Sequence, residues 1–380
     1  MTTYLLYTDA LASPEMRHEI AEPLMDPVMF MEHEGRRIVV TGVLEEAIFA
    51  DREDVIDEVW AEHDFGWEEL YRDESFPLEW LGPELVFRVL RRTGITSVSV
   101  PPPTSALLVD YLRERQIDVR IEPEVWADRR RRKSPWEIEG IEKAQRAAET
   151  AMLQAARMLR EAEPTSDNRL RFEGEILTAE WIREAMIAEL TSQGTECEQI
   201  LVHSGDACLR GHDLGTGPIL PDASCIIDVF PRDRRSGVYS DMTRTFVPGI
   251  VTEEIKRLHE HVRAALDVAF SCLRPGSRDA FKDVSEYFHA QGFPTTLFHE
   301  GSGPLRDGFF HGLGHGVGLE VHERPWLSRR SDALVEGDVV AVEPGLYFEG
   351  IGGVRLEDTV LITGDGIEFL TDPYPYDLQP

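Results

Sequence analysis

Four apolar runs, "SCIIDVF", "GVYSDMTRTF", "VVAVEPGLY" and "GGVRLEDTVLI", each place one carboxylate where a buried strand should be apolar. The residues are Asp228, Asp241, Glu343 and Glu357. An isolated carboxylate in such a run is ordinarily explained by an ion pair or a sheet edge, because an unpaired buried charge is very costly. Four of them would each need a buried cation, unless one shared neutraliser serves all. A pair of divalent ions is such a neutraliser. The chain is therefore constrained to a fold in which several strands converge on one acidic point.

A second stretch supplies nitrogen. "HGLGHGVGLEVHE", residues 311–323, spaces His311, His315 and His322 by four and seven positions. Gly312, Gly314, Gly316 and Gly318 argue against a regular helix, and so against the helical HExxH zinc arrangement. Glycine instead lets backbone approach closely. One imidazole can complete a metal sphere while the others face a substrate. Hard oxygens with one imidazole suit manganese, iron, cobalt or zinc.

The formal net charge of −31 excludes nucleic acid and anionic membrane surfaces as natural partners and favours cations. No apolar run approaches the ~20 residues of a membrane span. The start, "MTTYLLYTDALASPEMRHEI", lacks the basic and apolar regions of a secretory signal. Cys197, Cys208, Cys225 and Cys272 show no CxxC pairing. A reducing, cytoplasmic setting is expected.

Before residue 130, strand-like and helix-like segments alternate. Residues 37–44 read as a strand and 52–63 as a helix. "PELVFRVLRRTG", "ITSVSVP", "SALLVDYLRERQ" and "IDVRIE" then read as helix, strand, helix, strand. This is an α/β pattern without clustered acids or histidines, suited to a scaffold or a dimer-forming domain. "DRRRRKSP", residues 128–135, reads as a solvated linker touching an acidic neighbour. Ser134 and Pro135 then look like the cap and first turn of a long amphipathic helix. Domains are expected at 1–132 and 133–380. The second is α+β, with helices near 173–193, 252–273 and 278–291, and strands near 224–230, 237–247, 338–348 and 353–363.

In the order Asp, Asp, His, Glu, Glu, the segments "IIDVF", "GVYSDMTRTF", "HGLGHGVGLEVHE", "VEPGLY" and "VRLEDT" resemble the pita-bread metallopeptidases. The branch concerned contains creatinase, Xaa-Pro aminopeptidase and prolidase. "RRKSPWEIEGIEKAQ" resembles the start of that family's catalytic domain, and the resemblance covers about residues 130–365. The region before it is similar, more weakly, to the branch's amino-terminal domain. The implied fold is a creatinase-like α/β amino-terminal domain followed by an α+β pita-bread catalytic domain.

The resemblance implies that Asp228 and Asp241 hold one ion, that Asp241 and Glu357 bridge to a second, and that His315 and Glu343 are further ligands. Manganese is the first expectation, with cobalt, zinc and iron as alternatives. A water activated by the two ions would attack the scissile carbonyl, and Glu343 would carry its proton. His322 and His212 would donate to the developing oxyanion or the substrate. His311 and Arg355 match substrate-side positions of the proline-specific branch. The implied activity is cleavage of the bond before proline in peptides or dipeptides, by a homodimer. A creatinase-like amidinohydrolase is the alternative. One departure stands out: the family's Asp-x-Gly-Ala is replaced by "DVFP", and the hairpin between the aspartates is longer. The bulk of Phe230 would narrow the pocket, which bears on substrate identity more than on metal binding.

Overall fold

The computed structural model describes residues 2–49, 52, 54–211 and 213–380. Contacts divide the chain into two units, Met1–Arg130 and Arg131–Pro380.

In the first unit, β1 (Tyr4–Thr8), β2 (Val28–His33), β3 (Arg36–Thr41), β4 (Glu58–Ala61), β5 (Ser97–Val100) and β6 (Asp118–Ile121) form a six-stranded sheet. The order is β4-β3-β2-β1-β5-β6. β1, β2 and β3 pair antiparallel, while β4, β5 and β6 join in parallel. Alternation sends Leu5, Met29, Met31, Ile38 and Val40 against helices Leu81–Thr93 and Ala106–Glu114. Leu6, Phe30 and Val39 face the other way, onto Met16, Ile20 and Trp126. Both faces are covered, as expected of an α/β sheet.

Two expectations fail in this region. Residues 52–63 do not form a helix, residue 53 lying outside those described. Glu58–Ala61 is edge strand β4, and Glu62–Phe65 is a 3₁₀ turn. Val55, Ile56, Val59 and Trp60 mimic a helical stripe, but Val59 pairs beside Val39, where a branched side chain suits the pleat. The arginine run is not a solvated linker either. Helix Pro123–Arg131 continues into it. Arg129 donates to Glu19 at 2.5 and 2.9 Å and to Glu32 at 2.7 Å, and Arg130 reaches Glu15 at 3.3 Å. The acidic contacts were anticipated; the burial was not.

The second unit begins with helix Pro135–Glu161, which opens on a Ser134–Glu137 capping box with proline in its first turn. Strands β7 (Ile200–Ser204), β8 (Cys225–Val229) and β9 (Met242–Phe246) form an antiparallel three-stranded sheet. β10 (Gly314–Gly316), β11 (Glu323–Leu327), β12 (Val339–Val342), β15 (Asp358–Thr363) and β16 (Gly366–Phe369) form a second sheet in the order β11-β10-β12-β15-β16. Between them in sequence, β13 (Gly345–Phe348) and β14 (Gly352–Arg355) make a hairpin. Helices Pro135–Glu161 and Ala179–Ser192 bury Met152, Leu159, Ile182 and Met186 against Val202, Ile227 and Val229. Helices Glu253–Cys272 and Ala280–Ala290 bury Leu266, Phe281 and Phe288 against Val340, Val342, Val354 and Val360.

The strands expected at 338–348 and 353–363 are each cut in two. Pro344 cannot donate to a ladder and separates β12 from β13. Leu356 and Glu357 separate β14 from β15. The strand expected at 237–247 narrows to Met242–Phe246, and the helix expected from 173 starts at Ala179 after a turn at Glu173 and Gly174 with φ of 48° and 90°.

Arg131 donates to Asp338 at 2.9 and 2.6 Å, and the Asp338 side chain is 0% exposed. Arg131→Ala would leave that charge buried without its fork. It is expected to cost about 3–5 kcal/mol in chemical denaturation. A loss under about 1 kcal/mol, the size of an exposed pair, would contradict this.

Candidate metal centre and active site

Asp228 is the fourth residue of β8, facing Leu201 on β7 and Thr243 on β9. Asp241 precedes β9. Its N–H donates to the Thr359 hydroxyl at 3.2 Å, and that hydroxyl donates to the Asp241 carbonyl at 2.9 Å. Glu357 is held in the gap between β14 and β15 by a backbone bridge to Thr243, whose hydroxyl donates to its carboxylate at 2.6 Å. Glu343 follows β12, with its N–H on the Leu313 carbonyl at 2.8 Å.

Beneath this set lies Arg244, 1% exposed at its side chain. Its guanidinium donates to the carbonyls of Thr243, Glu357, Tyr374 and Pro375 and to Asp358, at 2.7–3.1 Å.

His315 sits at the centre of β10, between β11 and β12. The flanking glycines are there for closeness: a Cβ on Gly314 would lie 2.0 Å from the Ala341 carbonyl oxygen, and one on Gly316 2.4 Å from that of Arg324. His315 Nδ1 is 3.1 Å from the Gly316 carbonyl, so this nitrogen carries the proton. Nε2 then points its lone pair toward Asp241 at 3.7 Å and Glu343 at 3.9 Å. Burial, aided by His322, pushes the imidazole down to about 4, so it is neutral at pH 7.

These groups line one cavity of about 670 Å³, together with His311, His322, Leu201, Phe230, Phe310, Tyr347 and Arg355. Among its described lining residues, four carboxylates face a single guanidinium. Arg355 donates to Asp228 at 2.5 Å, to Thr243 at 3.3 Å and to the Tyr347 hydroxyl at 3.0 Å. The Tyr347 oxygen lies 3.0 Å from His311 Nε2, and His311 Nδ1 lies 2.7 Å from the Gly312 carbonyl. Arginine only donates, so the tyrosine accepts from it and donates its own proton to His311.

Burial raises Asp241 and Glu357 well above the usual carboxylate range, and each other's neighbourhood of negative charge adds to it. Glu343 is pushed up to about 7, again by burial first. Oδ1 of Asp228 and Oδ1 of Asp241 are buried without a hydrogen-bond partner among the described residues. Asp241, His315 and Glu357 each offer an atom within 4.8 Å of the others. Orphaned oxygens, mutually repelling carboxylates and a neutral imidazole with a free lone pair fit divalent ions.

Of the residues singled out in the sequence, Asp228, Asp241, His311, His315, His322, Glu343, Arg355 and Glu357 all line this cavity. His212 lies outside the described residues, although its neighbour Gly211 is in the lining. The His322 ring stands 4.2 Å from that of His315 and nearly perpendicular to it. Tyr347 was missed. Its spacing of two and four from Gly345 and Glu343 was the available signal, since a buried tyrosine hydroxyl needs a partner.

The raised carboxylates fix how the metal-free protein responds to pH. Unfolded carboxyls titrate near 4, so the folded protein binds the extra protons. The stability that these protonated carboxyls contribute to the metal-free protein is therefore full below about pH 4 and, for Glu343, is lost as pH rises through about 7. In chelator, Glu357→Gln is expected to melt above the wild type at about pH 8 and close to it at about pH 4. Added manganese should stabilise the wild type increasingly as pH rises, because ions compete with protons for the same oxygens. Melting curves across pH check this; a pH-independent difference between the two proteins would contradict it.

Comparison with known proteins adds the lineage. The model of metallopeptidase family M24 matches residues 139–364, more than half of the chain. An Xaa-Pro dipeptidase of Pyrococcus furiosus is 38% identical over 135 residues, 35% of this chain and 35% of that protein. A putative dipeptidase of Bacillus subtilis is 38% identical over 175 residues, 46% of this chain and 42% of that protein. The matched part thus spans well under half the length of these relatives. Among solved structures, an X-Pro aminopeptidase from Thermotoga maritima superimposes with a TM-score of 0.75 at 20% identity, covering 99% of this chain and 97% of that one. The prolidase from Pyrococcus furiosus gives 0.69 at 21% identity, with 98% and 97% coverage. At that identity the likeness establishes the fold, which is the pita-bread architecture behind an α/β amino-terminal region. With its catalytic half matched from residue 139 to 364, the chain belongs to metallopeptidase family M24.

Proposed function

We propose that the protein is a divalent-metal peptidase that cleaves the bond before proline in Xaa-Pro dipeptides or longer peptides. The observation that carries this reading is the ring of Asp228, Asp241, His315, Glu343 and Glu357 around one cavity, with an oxygen of each aspartate buried without a hydrogen-bond partner among the described residues. The printed names of the relatives supply the substrate class. Two ions, manganese in the first instance, would be held by these five residues; when bound they acidify a water and polarise the scissile carbonyl.

The remaining chemistry belongs to the side chains. Glu343, with its side chain 22% exposed in the cavity, is suited to take a proton from the attacking water and return it to the leaving nitrogen. Proline makes that nitrogen a secondary amine, which leaves only when protonated. His322 stands at the exposed side of the cavity, where its N–H can meet the developing oxyanion. Arg355 orients Asp228 and Tyr347, and through Tyr347 it sets the tautomer of His311. Phe310, Tyr347, Leu201, Val321 and Phe230 supply apolar wall for a pyrrolidine ring. His212 is assigned to the substrate side as well. The four cysteines are unpaired, which supports a reducing, cytoplasmic setting, and no described helix is long and apolar enough to cross a membrane. A homodimer is part of the proposal.

After manganese loading, metal analysis is expected to approach about two ions per chain. Product analysis on Xaa-Pro, Xaa-Pro-Yaa and Xaa-Ala peptides decides the substrate; equal cleavage of Xaa-Ala would overturn the proline preference. His322→Ala should lower kcat by ~10²–10³, about 3–4 kcal/mol, with full metal content. Arg355→Lys should also lose activity clearly, because one ammonium cannot reach the three partners the guanidinium serves. Near-wild-type kinetics for both variants would refute these roles.

A further inference from the structure

We infer that Lys133 is a positioning residue for His322, acting through Glu323; the inference rests on the reading of His322 given above. Lys133 is the residue before the cap of helix Pro135–Glu161, and its N–H donates to the Gly337 carbonyl at 3.2 Å. Its side chain is 1% exposed and its ammonium donates to Glu323, whose side chain is 5% exposed. The two residues are 190 apart in sequence. A buried pair of this kind adds little net stability over apolar packing, because both charges must be stripped of water. What it supplies is a fixed geometry.

That geometry is imposed on the segment that carries His322. The second carboxylate oxygen of Glu323 accepts the Glu320 N–H at 3.3 Å, closing the segment on itself. The Gly318 N–H donates to the Glu320 carbonyl at 3.1 Å, and the Gly318 carbonyl accepts the Tyr239 N–H at 2.7 Å. Leu319 is buried with Ile141, Val238 and Val339. Gly318 lies directly against the ion pair: a Cβ there would be 2.8 Å from Glu323 Oε1 and 2.9 Å from Lys133 Nζ. Residues 318–323 are thus tied at both ends. His322 projects from the residue beside the clamp, and its ring is set against that of His315 at 4.2 Å. Moving Glu323 moves the backbone from which His322 reaches the cavity.

The test is a double-substitution cycle on the manganese-loaded full chain, with kcat, KM, metal content and melting temperature measured together. Lys133→Met is expected to lower kcat ~10-fold or more, toward the ~10² that a displacement of about 1 Å costs. KM and metal content should stay within ~2-fold, the usual additivity error. In the His322→Ala background the same substitution should change kcat by less than ~2-fold, because the group being positioned is gone. Lys133→Met/Glu323→Leu removes both charges of the pair together, so it should keep the fold and show the same loss. Gly318→Ala should reproduce the kinetic effect by pushing the pair aside.

Equal kcat losses in both backgrounds would make Lys133 merely structural and overturn the inference, while the role of His322 stands. Unchanged kcat in Lys133→Met would do the same. Failure of both clamp variants to fold would also assign the pair to stability alone. Wild-type turnover in His322→Ala would remove the role of His322, and with it the clamp's.

Discussion

Mutual repulsion among four carboxylates in one cavity is the condition that the second unit is built to withstand. Asp241, Glu343 and Glu357 are all raised by burial first, with the charge of Asp228 adding to each, and a single guanidinium faces them among the described lining residues. Side chains on flexible loops would swing apart under such a load. Here each backbone is pinned: Asp228 within a ladder, Asp241 by both hydrogen bonds of Thr359, Glu357 by its bridge to Thr243, Glu343 by Leu313. Rigid elements hold a site better than loops do, and the repulsion they store is what an ion relieves on binding.

Those carboxylates were readable in the sequence because burial makes a charge in an apolar run anomalous. How the chain delivers them was not. Glu343 and Glu357 were read within continuous strands, yet each lies at a break, one before Pro344 and the other after Leu356. Hydrophobic pattern reports which residues are buried, and both halves of each broken run are. It does not report which partner strand a segment pairs with, so a change of sheet is invisible until the ladder is seen. The same blindness turned edge strand β4 into an expected helix. In the arginine run, charge density pointed to acidic contacts but concealed that Arg130 and Arg131 are 6% and 7% exposed. Tyr347 escaped because a strand tyrosine is unremarkable until its hydroxyl is traced to Arg355 and His311.

The hydrogen bonds from Asp228 through Arg355 and Tyr347 to His311 have a direction. A guanidinium has no acceptor and a carboxylate has no proton, so every hydroxyl and imidazole between Asp228 and the Gly312 carbonyl is oriented one way. His311 is thereby kept with its protonated nitrogen turned to its own backbone, and its Nε2 is engaged by Tyr347. Tyr347 thus joins His311 to the same guanidinium that pairs with Asp228, through consecutive hydrogen bonds along the cavity wall.

Arg244 ties the middle of the second unit to the last residues of the chain. It lies on β9, but two of its five acceptors are the carbonyls of Tyr374 and Pro375, about 130 residues later. Until the ribosome has released that stretch, a guanidinium destined for a dry interior lacks two partners, and the Glu357 carbonyl it grips has no settled place. The full grip of Arg244, which also holds the Glu357 backbone, is therefore complete only once residues 374–375 have been made.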